Sequence, residues 1–300
     1  MLAENNQASL TVISLSQPVS IGMGMPESGP ISTELQAAKL EQSNRELGFL
    51  VDPYRDRMKI HSHVLIGVEF LEIIREVLRE GHDLVIKTPE SEDWLDRLLG
   101  SEDMHLLRKC PCPVWLIKSS ASKSFRRVLA AVDVSDVYPS NEMKTRHVLN
   151  QQILEMASSL ALADFAELHI VHAWQAIGER AMRGVLMQKR GVDVETYIAE
   201  VRKQRELRLN RLLQSVSNEL SPDVIDYLKP QTHLVKGRAR KEIPALAKSL
   251  QADLVVMGTV ARTGIPGFFS GNTAESILGQ IKCSVLAIKP PGFKTPVTVV

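Results

Sequence analysis

Cysteine is scarce in this chain of 300 residues, which contains only Cys110, Cys112 and Cys283. Three cysteines are too few for the disulfide framework that stabilises small secreted domains. Long apolar runs are also missing, since no stretch approaches the roughly 18 residues that a membrane-spanning helix needs. The N-terminus has neither the basic region nor the apolar segment of a secretory signal. These absences predict a cytoplasmic protein that does not associate with membranes.

An excess of charge of either sign is absent as well. The chain has 36 basic and 35 acidic side chains, for a net charge of +1. Nucleic-acid-binding domains present a basic surface, so we expect no nucleic-acid partner. The basic residues of the segment 197–213 are interpreted as a solvated helix face, with a docking surface for an acidic partner as the alternative.

The sequence also lacks the common catalytic motifs. There is no Gly-x-Ser-x-Gly, no Gly-x-x-x-x-Gly-Lys-[Ser/Thr] phosphate loop, and no Ser-Gly-Gly-x-Asp-Ser run of the kind found in some pyrophosphatases. We therefore assign no catalytic residue.

Two small groups of metal-binding residue types are present, but neither has the spacing of a metal site. The Cys110–Cys112 segment has His105 nearby, yet it lacks the second spaced pair of a zinc site. His61 and His63 lie on one face of a strand, where a hydrogen-bonded structural pair is the commoner outcome. We expect no metal.

What the chain does contain is an internal repeat of domain size. A shift of 170 residues pairs His63 with His233, Gly67 with Gly237, Glu72 with Glu242, Ile73 with Ile243 and Asp83 with Asp253. After a one-residue deletion, a shift of 171 pairs Gly100 with Gly271, Cys112 with Cys283, Val114 with Val285 and Lys118 with Lys289. A period of this length predicts a tandem duplication rather than a solenoid. The predicted domains are 1–120 and 124–292, followed by a tail at 293–300.

The second half alternates strand and helix patterns. Predicted strands cover 127–132, 167–173, 232–236, 254–257 and 284–288, and predicted helices cover 143–163, 194–216, 241–250 and 273–281. Short apolar strands alternating with helices indicate a parallel sheet covered by helices on both faces. The expected fold is therefore α/β, with two tandem doubly wound domains.

A glycine-rich loop, 258–272, leaves the carboxyl end of one predicted strand and runs into a helix. Its glycines at positions 258, 264, 267 and 271 permit close backbone approach to a ligand. The free N–H groups of a helix N-terminus favour a phosphate, so this loop is a candidate phosphate site.

Four segments of the second half resemble the universal stress protein family, in its tandem-domain E type. They are VLAAVDVS at 128–135, ADLVVMGTVARTG at 252–264, FFSGNTAESIL at 268–278 and SVLAIKPPGF at 284–293. The resemblance covers nearly the whole chain and implies two domains of the adenine nucleotide alpha hydrolase-like fold.

The same resemblance implies ATP, with magnesium, as the cofactor. Family members that bind ATP carry Gly, two residues, Gly, nine residues, and then Gly followed by Ser or Thr. This chain has Gly258, Ala261 and Gly271-Asn272 in those places, so two of the four motif positions depart. Ala261 adds a Cβ where the backbone is expected to approach phosphate.

Three neighbouring residues can offset these departures. Asn272 still offers backbone and side-chain donors, and Thr273 supplies a hydroxyl one position later. Arg262 adds a positive charge to the loop.

By similarity, Asp133 and Val171 face the ribose and adenine, and Met257 lines the base. A second interpretation is that Asp133 caps the turn 133–136. Val171 and Met257 are then core residues first and ligand wall second.

The first half departs further from the motif. Lys87-Thr88-Pro89 replaces the glycine start, the stretch 90–93 is acidic, and only Gly100-Ser101 matches the closing pair. Carboxylates repel phosphate at short range, so we expect no ATP in this half.

The first half also has no counterpart of the first strand and most of the first helix, because residues 2–12 align with 160–170 at a shift of 158. In the family that strand lies inside the sheet, and its loss leaves backbone groups to be satisfied. The second strand shifts to pair with the fourth, or a partner donates a strand, or Met1 is an internal start of a longer natural protein. We expect the last.

The combined expectation is a non-enzymatic protein of the stress response that acts through protein interaction, gated by ATP in the second domain. The resemblance implies that the final strands, Val114–Lys118 and Val285–Lys289, pair across a pseudo-twofold axis. The expected partners are a second copy of the chain and a protein of unknown identity. The alternative is a slow ATP hydrolase or an autophosphorylating protein.

Overall fold

The computed structural model describes residues 2–19, 29–89, 101–119, 121, 124–185, 194–219, 224, 227–259 and 272–299. The chain divides into two compact units. The first unit extends to Arg79 and includes Val299, and the second unit runs from Glu80 to Thr298. Among the described residues, no helix has both the length and the apolar character needed to cross a membrane.

The first unit is a two-stranded parallel sheet with helices. Its elements are α1 (Leu2–Asn5), β1 (Leu10–Ser16), α2 (Pro30–Val51), a 3₁₀ turn (Asp52–Tyr54), β2 (Ile60–Ile66) and α3 (Glu69–Glu80). β1 and β2 pair in register from Leu10 opposite Ile60 to Ser16 opposite Ile66. Parallel strands need a crossover, and α2 lies between them in the chain and contacts both.

The next strand after β2 is β3 (Val85–Lys87). It belongs to a different sheet from β1. β2 is the one strand partner of β1 among the described residues.

The second unit contains a seven-stranded sheet. After β3 its elements are α4 (Glu102–Lys109), β4 (Val114–Leu116), β5 (Arg127–Ala131), α5 (Ser140–Asp164), β6 (Glu167–Trp174), α6 (Glu179–Val185), α7 (Val194–Glu219), β7 (Gln231–Lys236), α8 (Ala239–Ser249), β8 (Leu254–Gly258), α9 (Asn272–Leu278) and β9 (Ser284–Ile288). The strand order is β3-β4-β9-β8-β5-β6-β7. Every pair is parallel except β4 with β9. The doubly wound α/β fold predicted from the strand and helix pattern is confirmed.

The antiparallel pair of β4 and β9 joins the two repeats in one sheet. Val114 lies opposite Ala287, and Leu116 lies opposite Val285. The Lys118 amide extends this contact, since it donates a hydrogen bond of 3.2 Å to Ser284 Oγ. β3 and β4 therefore pack with the second repeat, and the boundary between compact units falls earlier than the repeat boundary at 120–124.

The core lies between this sheet and the long helices α5 and α7. Every residue of β9 is buried, as are the first four residues of β8. Such continuous apolar runs are typical of parallel strands that are covered on both faces. Side chains from α5, such as Ile153 and Leu154, and from α7, such as Leu209, complete the main cluster.

The matched glycines of the repeat occupy a tight corner between a strand and a helix. Gly67 follows β2 with φ +150°, and Gly237 follows β7 with φ +156°. A Cβ on Gly67 would lie 2.8 Å from Cγ of Glu72, and one on Gly237 would meet Glu242 in the same way. The Gly-x₄-Glu spacing shared by both repeats thus has a steric reason.

We expect Gly237→Ala to lower the free energy of unfolding of the second unit by about 2–4 kcal/mol, from backbone strain and the clash with Glu242. Gly292→Ala is the matched control, because Gly292 also has a positive φ, +75°, but no atom lies within 4 Å of the point that its Cβ would occupy. The control is expected to cost only about 1 kcal/mol. Equal losses in urea unfolding would contradict the steric explanation.

Candidate functional site

The candidate site lies where β5 and β8 end side by side. Ala131 of β5 pairs with Met257 of β8, and the chain continues from β5 to β6 on the opposite side. The strand order therefore reverses between β5 and β8. In open α/β sheets this switch point, at the carboxyl ends of the strands, is where ligands bind.

Three of the predicted site residues lie at or just beyond the level of Ala131, the last residue of β5. Val171 and Met257 are both in register with Ala131, on either side of it. Asp133 follows Ala131 by two residues, just beyond the end of β5. Val171 and Met257 are buried, at 0% and 3% exposure. The side chain of Asp133 is 38% exposed.

The Asp133 carboxylate is held by three groups of the protein. Oδ1 accepts a hydrogen bond of 3.1 Å from the Ser135 amide, which forms the turn considered from the sequence. Oδ2 accepts bonds from the Tyr138 hydroxyl at 2.9 Å and from Arg146 at 3.0 Å. The Arg146 guanidinium also lies over the Tyr138 ring, 3.4 Å from its centroid. Asp133 is thus both a turn cap and the centre of a polar cluster.

The titration of this cluster favours an ionised carboxylate. Burial alone raises the pKa of Asp133, but the charge of His172 and the hydrogen bonds from Ser135 and Tyr138 outweigh it and lower the pKa. Burial lowers the pKa of His172 despite the nearby carboxylate. Burial and Asp133 together raise the pKa of Tyr138 to about 12. At neutral pH Asp133 is therefore a charged acceptor, and Tyr138 is a donor.

The backbone of Asp133 is fixed by Asn150, a buried residue of α5. The Asp133 amide donates to Asn150 Oδ1 at 3.0 Å, and Asn150 Nδ2 donates back to the Asp133 carbonyl at 2.8 Å. Tyr138, Arg146 and Asn150 were not predicted from the sequence, because these residues have no common spacing and meet only when α5 packs on the sheet.

Gly258, the first residue of the family motif, has a packing role in this structure. A Cβ at this position would lie 2.7 Å from Cδ2 of Leu149, a buried residue of α5. The absence of a side chain at Gly258 therefore permits the close approach of helix and strand.

The remaining loop residues are only partly described. Arg262 and Gly271 lie outside the described residues, as does Ala261. Asn272 begins α9, and Thr273 beside it is exposed. At the other end of the loop, the Thr259 amide donates to the Ile288 carbonyl at 3.2 Å.

Thr259 also contacts Lys289, a buried lysine that the sequence analysis did not single out. Lys289 is 5% exposed, and its Nζ donates to Thr259 Oγ1 at 2.6 Å and to the Leu107 carbonyl. Burial lowers the pKa of Lys289 to about 7. A single lysine at the end of an apolar strand carries no sequence signal of such burial.

At the equivalent place in the first repeat, the chain has an ion pair of its own. Lys87 corresponds to Met257, and its Nζ lies 2.6 Å from Asp103 Oδ1. The side chains are 14% and 5% exposed. Ser101, the surviving motif residue, accepts a hydrogen bond of 3.2 Å from the Met104 amide as the N-cap of α4.

The basic helix α7 is not a purely solvated face, which corrects the interpretation of segment 197–213. Arg205 is buried, at 7% exposure, and pairs with Asp136. Arg208 also contacts Asp136, at 2.9 Å. Burial alone raises the pKa of Asp136, but Arg205 outweighs it and lowers the pKa. The helix thus anchors the turn that follows β5.

The histidine and cysteine groups noted in the sequence have other side chains as neighbours. His63 Nε2 lies 3.0 Å from Glu76 Oε1, and His233 Nε2 lies 3.1 Å from His169 Nδ1. Within the described parts of the chain, no group of three or more His, Cys, Asp or Glu residues is arranged to hold a metal ion.

The family model described as the universal stress protein family matches residues 1–118 and 124–289. Universal stress protein E of Escherichia coli (strain K12) is 35% identical over 231 residues, which are 76% of this chain and 67% of that protein. The universal stress protein E homolog of Haemophilus influenzae is 29% identical over 287 residues, 94% of this chain and 86% of that protein. Both repeats are therefore matched.

Solved structures show the same fold. A putative universal stress protein from Pseudomonas aeruginosa UCBPP-PA14 has a TM-score of 0.59 at 23% identity, with 94% of this chain and 93% of that chain covered. A protein of unknown function from Pseudomonas aeruginosa PAO1 has a TM-score of 0.58 at 25% identity, with 96% and 85% covered.

Proposed function

The chain belongs to the universal stress protein family, and from this premise we propose that it acts in the stress response as a non-enzymatic interaction protein gated by ATP. The nucleotide binds, in this proposal, at the carboxyl ends of β5 and β8. The observation that carries the proposal is the position of Asp133, a partly exposed carboxylate two residues beyond Ala131, which pairs with both Val171 and Met257 on the neighbouring strands.

The residues present fit an adenosine. A carboxylate offers about four acceptor positions, and the protein donors Ser135, Tyr138 and Arg146 use three of them on Asp133. Among these hydrogen bonds, Oδ1 accepts only the one from the Ser135 amide. Oδ1 therefore keeps an acceptor position for a ribose hydroxyl. Val171 and Met257 supply an apolar row beside it, as an adenine ring requires.

The phosphates are assigned to the loop that follows β8. The residues proposed for them are Gly258, Arg262, Gly271, Asn272 and Thr273. Magnesium prefers oxygen ligands and is usually bound through substrate phosphates with few protein ligands. We therefore assign the magnesium ion to the phosphates of ATP and to no protein side chain.

Gating follows from the contacts of Asp133. A ligand can shift a conformation only through contacts that differ between the two states. Asp133 is bonded to Tyr138, which precedes α5, and to Arg146, which lies in its first turns. A ribose bonded to Asp133 changes this cluster, so nucleotide binding biases the segment 133–146, where a protein partner would sense it.

Equilibrium binding of ATP with magnesium to the full chain tests the proposal. We expect saturable binding that Asp133→Asn weakens by about 10- to 100-fold, through loss of a charged acceptor. Asp52→Asn is the control, because Asp52 lies in the first unit and pairs with Arg55 on the surface, with side chains 64% and 46% exposed. Its affinity should stay within about twofold of the original chain.

Other outcomes decide against the proposal. No binding to the original chain would leave an interaction protein without a nucleotide, and equal losses in the two variants would remove Asp133 from the site. Phosphate release above that of a boiled sample would favour the alternative of a slow ATP hydrolase.

A further inference from the structure

The Cys110–Cys112 segment places two thiols side by side in the second unit. α4 ends at Lys109, and the segment leads directly into β4. Cys110 and Cys112 are 0% and 8% exposed, and their sulfurs are 3.6 Å apart. Pro111 between them has a ring-fixed φ, which removes one backbone rotation from the segment.

A buried cation lies near this pair. Lys289, at the end of β9, bonds through its Nζ to the carbonyl of Leu107, three residues before Cys110. The two thiols and the lysine influence each other's charge, since both thiols raise the pKa of Lys289 against the larger effect of burial. A nearby cation is the setting in which cysteine thiols become reactive.

The two thiols are electrostatically unequal. The hydrogen bond from Cys112 lowers the pKa of Cys110 most, and Lys289 adds to the effect against burial. The pKa of Cys112 is raised, because it shares its proton with Cys110 and is buried. Cys283 differs from Cys110, since burial raises its pKa to about 12. Lys289 bonds to the carbonyl of Leu107 in the helix that ends just before Cys110, and the Cys112 sulfur lies 3.6 Å from that of Cys110, so we take Cys110 as the nucleophile and Cys112 as the proton donor.

We propose that Cys110 and Cys112 form a redox-active dithiol that a small hydroperoxide oxidises to a disulfide. This inference goes beyond the proposed function and does not depend on nucleotide binding. Because Cys110 and Cys112 are 0% and 8% exposed, we expect a small oxidant such as hydrogen peroxide to react in preference to a bulky disulfide such as oxidised glutathione.

The chemistry proceeds in two balanced steps. The Cys110 thiolate attacks one peroxide oxygen, the O–O bond breaks, and hydroxide leaves and takes up a proton to become water. The Cys112 sulfur then attacks the Cys110 sulfenic acid, an S–S bond forms, and the hydroxyl leaves as water with the Cys112 proton. In total, two thiols and one hydrogen peroxide yield one disulfide and two waters.

The first test treats the reduced full chain with hydrogen peroxide, alkylates the remaining thiols in denaturant and maps the peptides by mass spectrometry. We expect the peptide that contains Cys110 and Cys112 to lose two hydrogens and resist alkylation, while Cys283 is alkylated in full. Oxidised glutathione should leave all three cysteines alkylated. Three alkylated cysteines after peroxide, a disulfide between chains, or faster reaction with glutathione would each overturn the proposal.

Variants separate the roles of the three residues. Cys112→Ser should stop the reaction at the Cys110 sulfenic acid, which a 1,3-diketone traps, and absence of the trapped product would overturn the assignment of Cys110. Lys289→Met should slow oxidation by about two- to tenfold, because it removes the cation that favours the Cys110 thiolate. Lys118→Met, the same position in the other repeat, should react at the original rate.

A Lys289→Met rate equal to the original would remove Lys289 from the reaction. Thermal unfolding shows whether this variant is folded, and if it is not, Cys112→Ser alone carries the test.

Discussion

Replacing Trp115 by alanine is expected to lower the free energy of unfolding of the second unit by about 3–5 kcal/mol. Trp115 lies on β4 in the first repeat, yet its side chain is 6% exposed and belongs to the main core cluster of the second unit. Its ring lies 5.7 Å from that of Phe125, centroid to centroid. The substitution removes a large buried surface and leaves a cavity that the surrounding strands cannot close.

Phe165→Ala is the matched control for an aromatic truncation. Phe165 is 79% exposed at the end of α5, and its ring contacts Tyr227 edge-on at 6.2 Å. We expect a change within about 0.5 kcal/mol. Urea unfolding followed by far-ultraviolet circular dichroism measures both variants. A loss for Trp115→Ala no larger than that of the control would show that β4 is not part of the core in solution.

Lys87→Met is expected to cost about 3–5 kcal/mol, because it leaves the Asp103 carboxylate buried without its cationic partner. The two side chains form the ion pair that stands in place of the nucleotide motif in the first repeat, with Nζ and Oδ1 2.6 Å apart. Asp103 is only 5% exposed, so water cannot replace the lysine fully.

A double variant separates the net contribution of this ion pair to the free energy of unfolding from the loss caused by removing one partner only. Lys87→Met with Asp103→Leu removes both charges, and replacing a buried pair by apolar side chains is often neutral or stabilising. We expect the double variant to recover most of the stability that Lys87→Met loses. A double variant as unstable as the sum of the two single variants would contradict this.

The exposed pair of Arg183 and Glu195 is the control for this cycle, with side chains 41% and 69% exposed. Arg183→Met should change the free energy of unfolding by less than about 1 kcal/mol, since solvent and salt screen exposed pairs. A loss as large as that of Lys87→Met would mean that burial does not govern the effect.

Much of the fold was predictable because the signals are local and repeated. The apolar runs of β5, β8 and β9 are read directly from the sequence, and the observed strands end within one residue of the predicted ones. Helix ends were less accurate, as α9 ends at Leu278 rather than at 281.

The candidate site was predictable only in part. Asp133 was identified by similarity at the end of a predicted strand, and Gly258 by its match to the family motif. Both signals depend only on residues that lie close together in the sequence. Two partners of Asp133, Arg146 and Asn150, lie on α5. The spacing of residues in the sequence does not indicate which turn of that helix faces Asp133. Similarly, the pairing of Arg205 with Asp136 spans 69 residues.

By itself, then, the sequence determined the duplication, the α/β class and the family, because residue periodicity and repeated motifs are properties of the chain alone. The resemblance also implied the pairing of β4 with β9. Only the tertiary structure decided that the compact units divide after Arg79. It also decided which charges are buried, at Lys87, Arg205 and Lys289. The physical reason is that burial and long-range pairing depend on which elements pack together, and that is set by the whole fold.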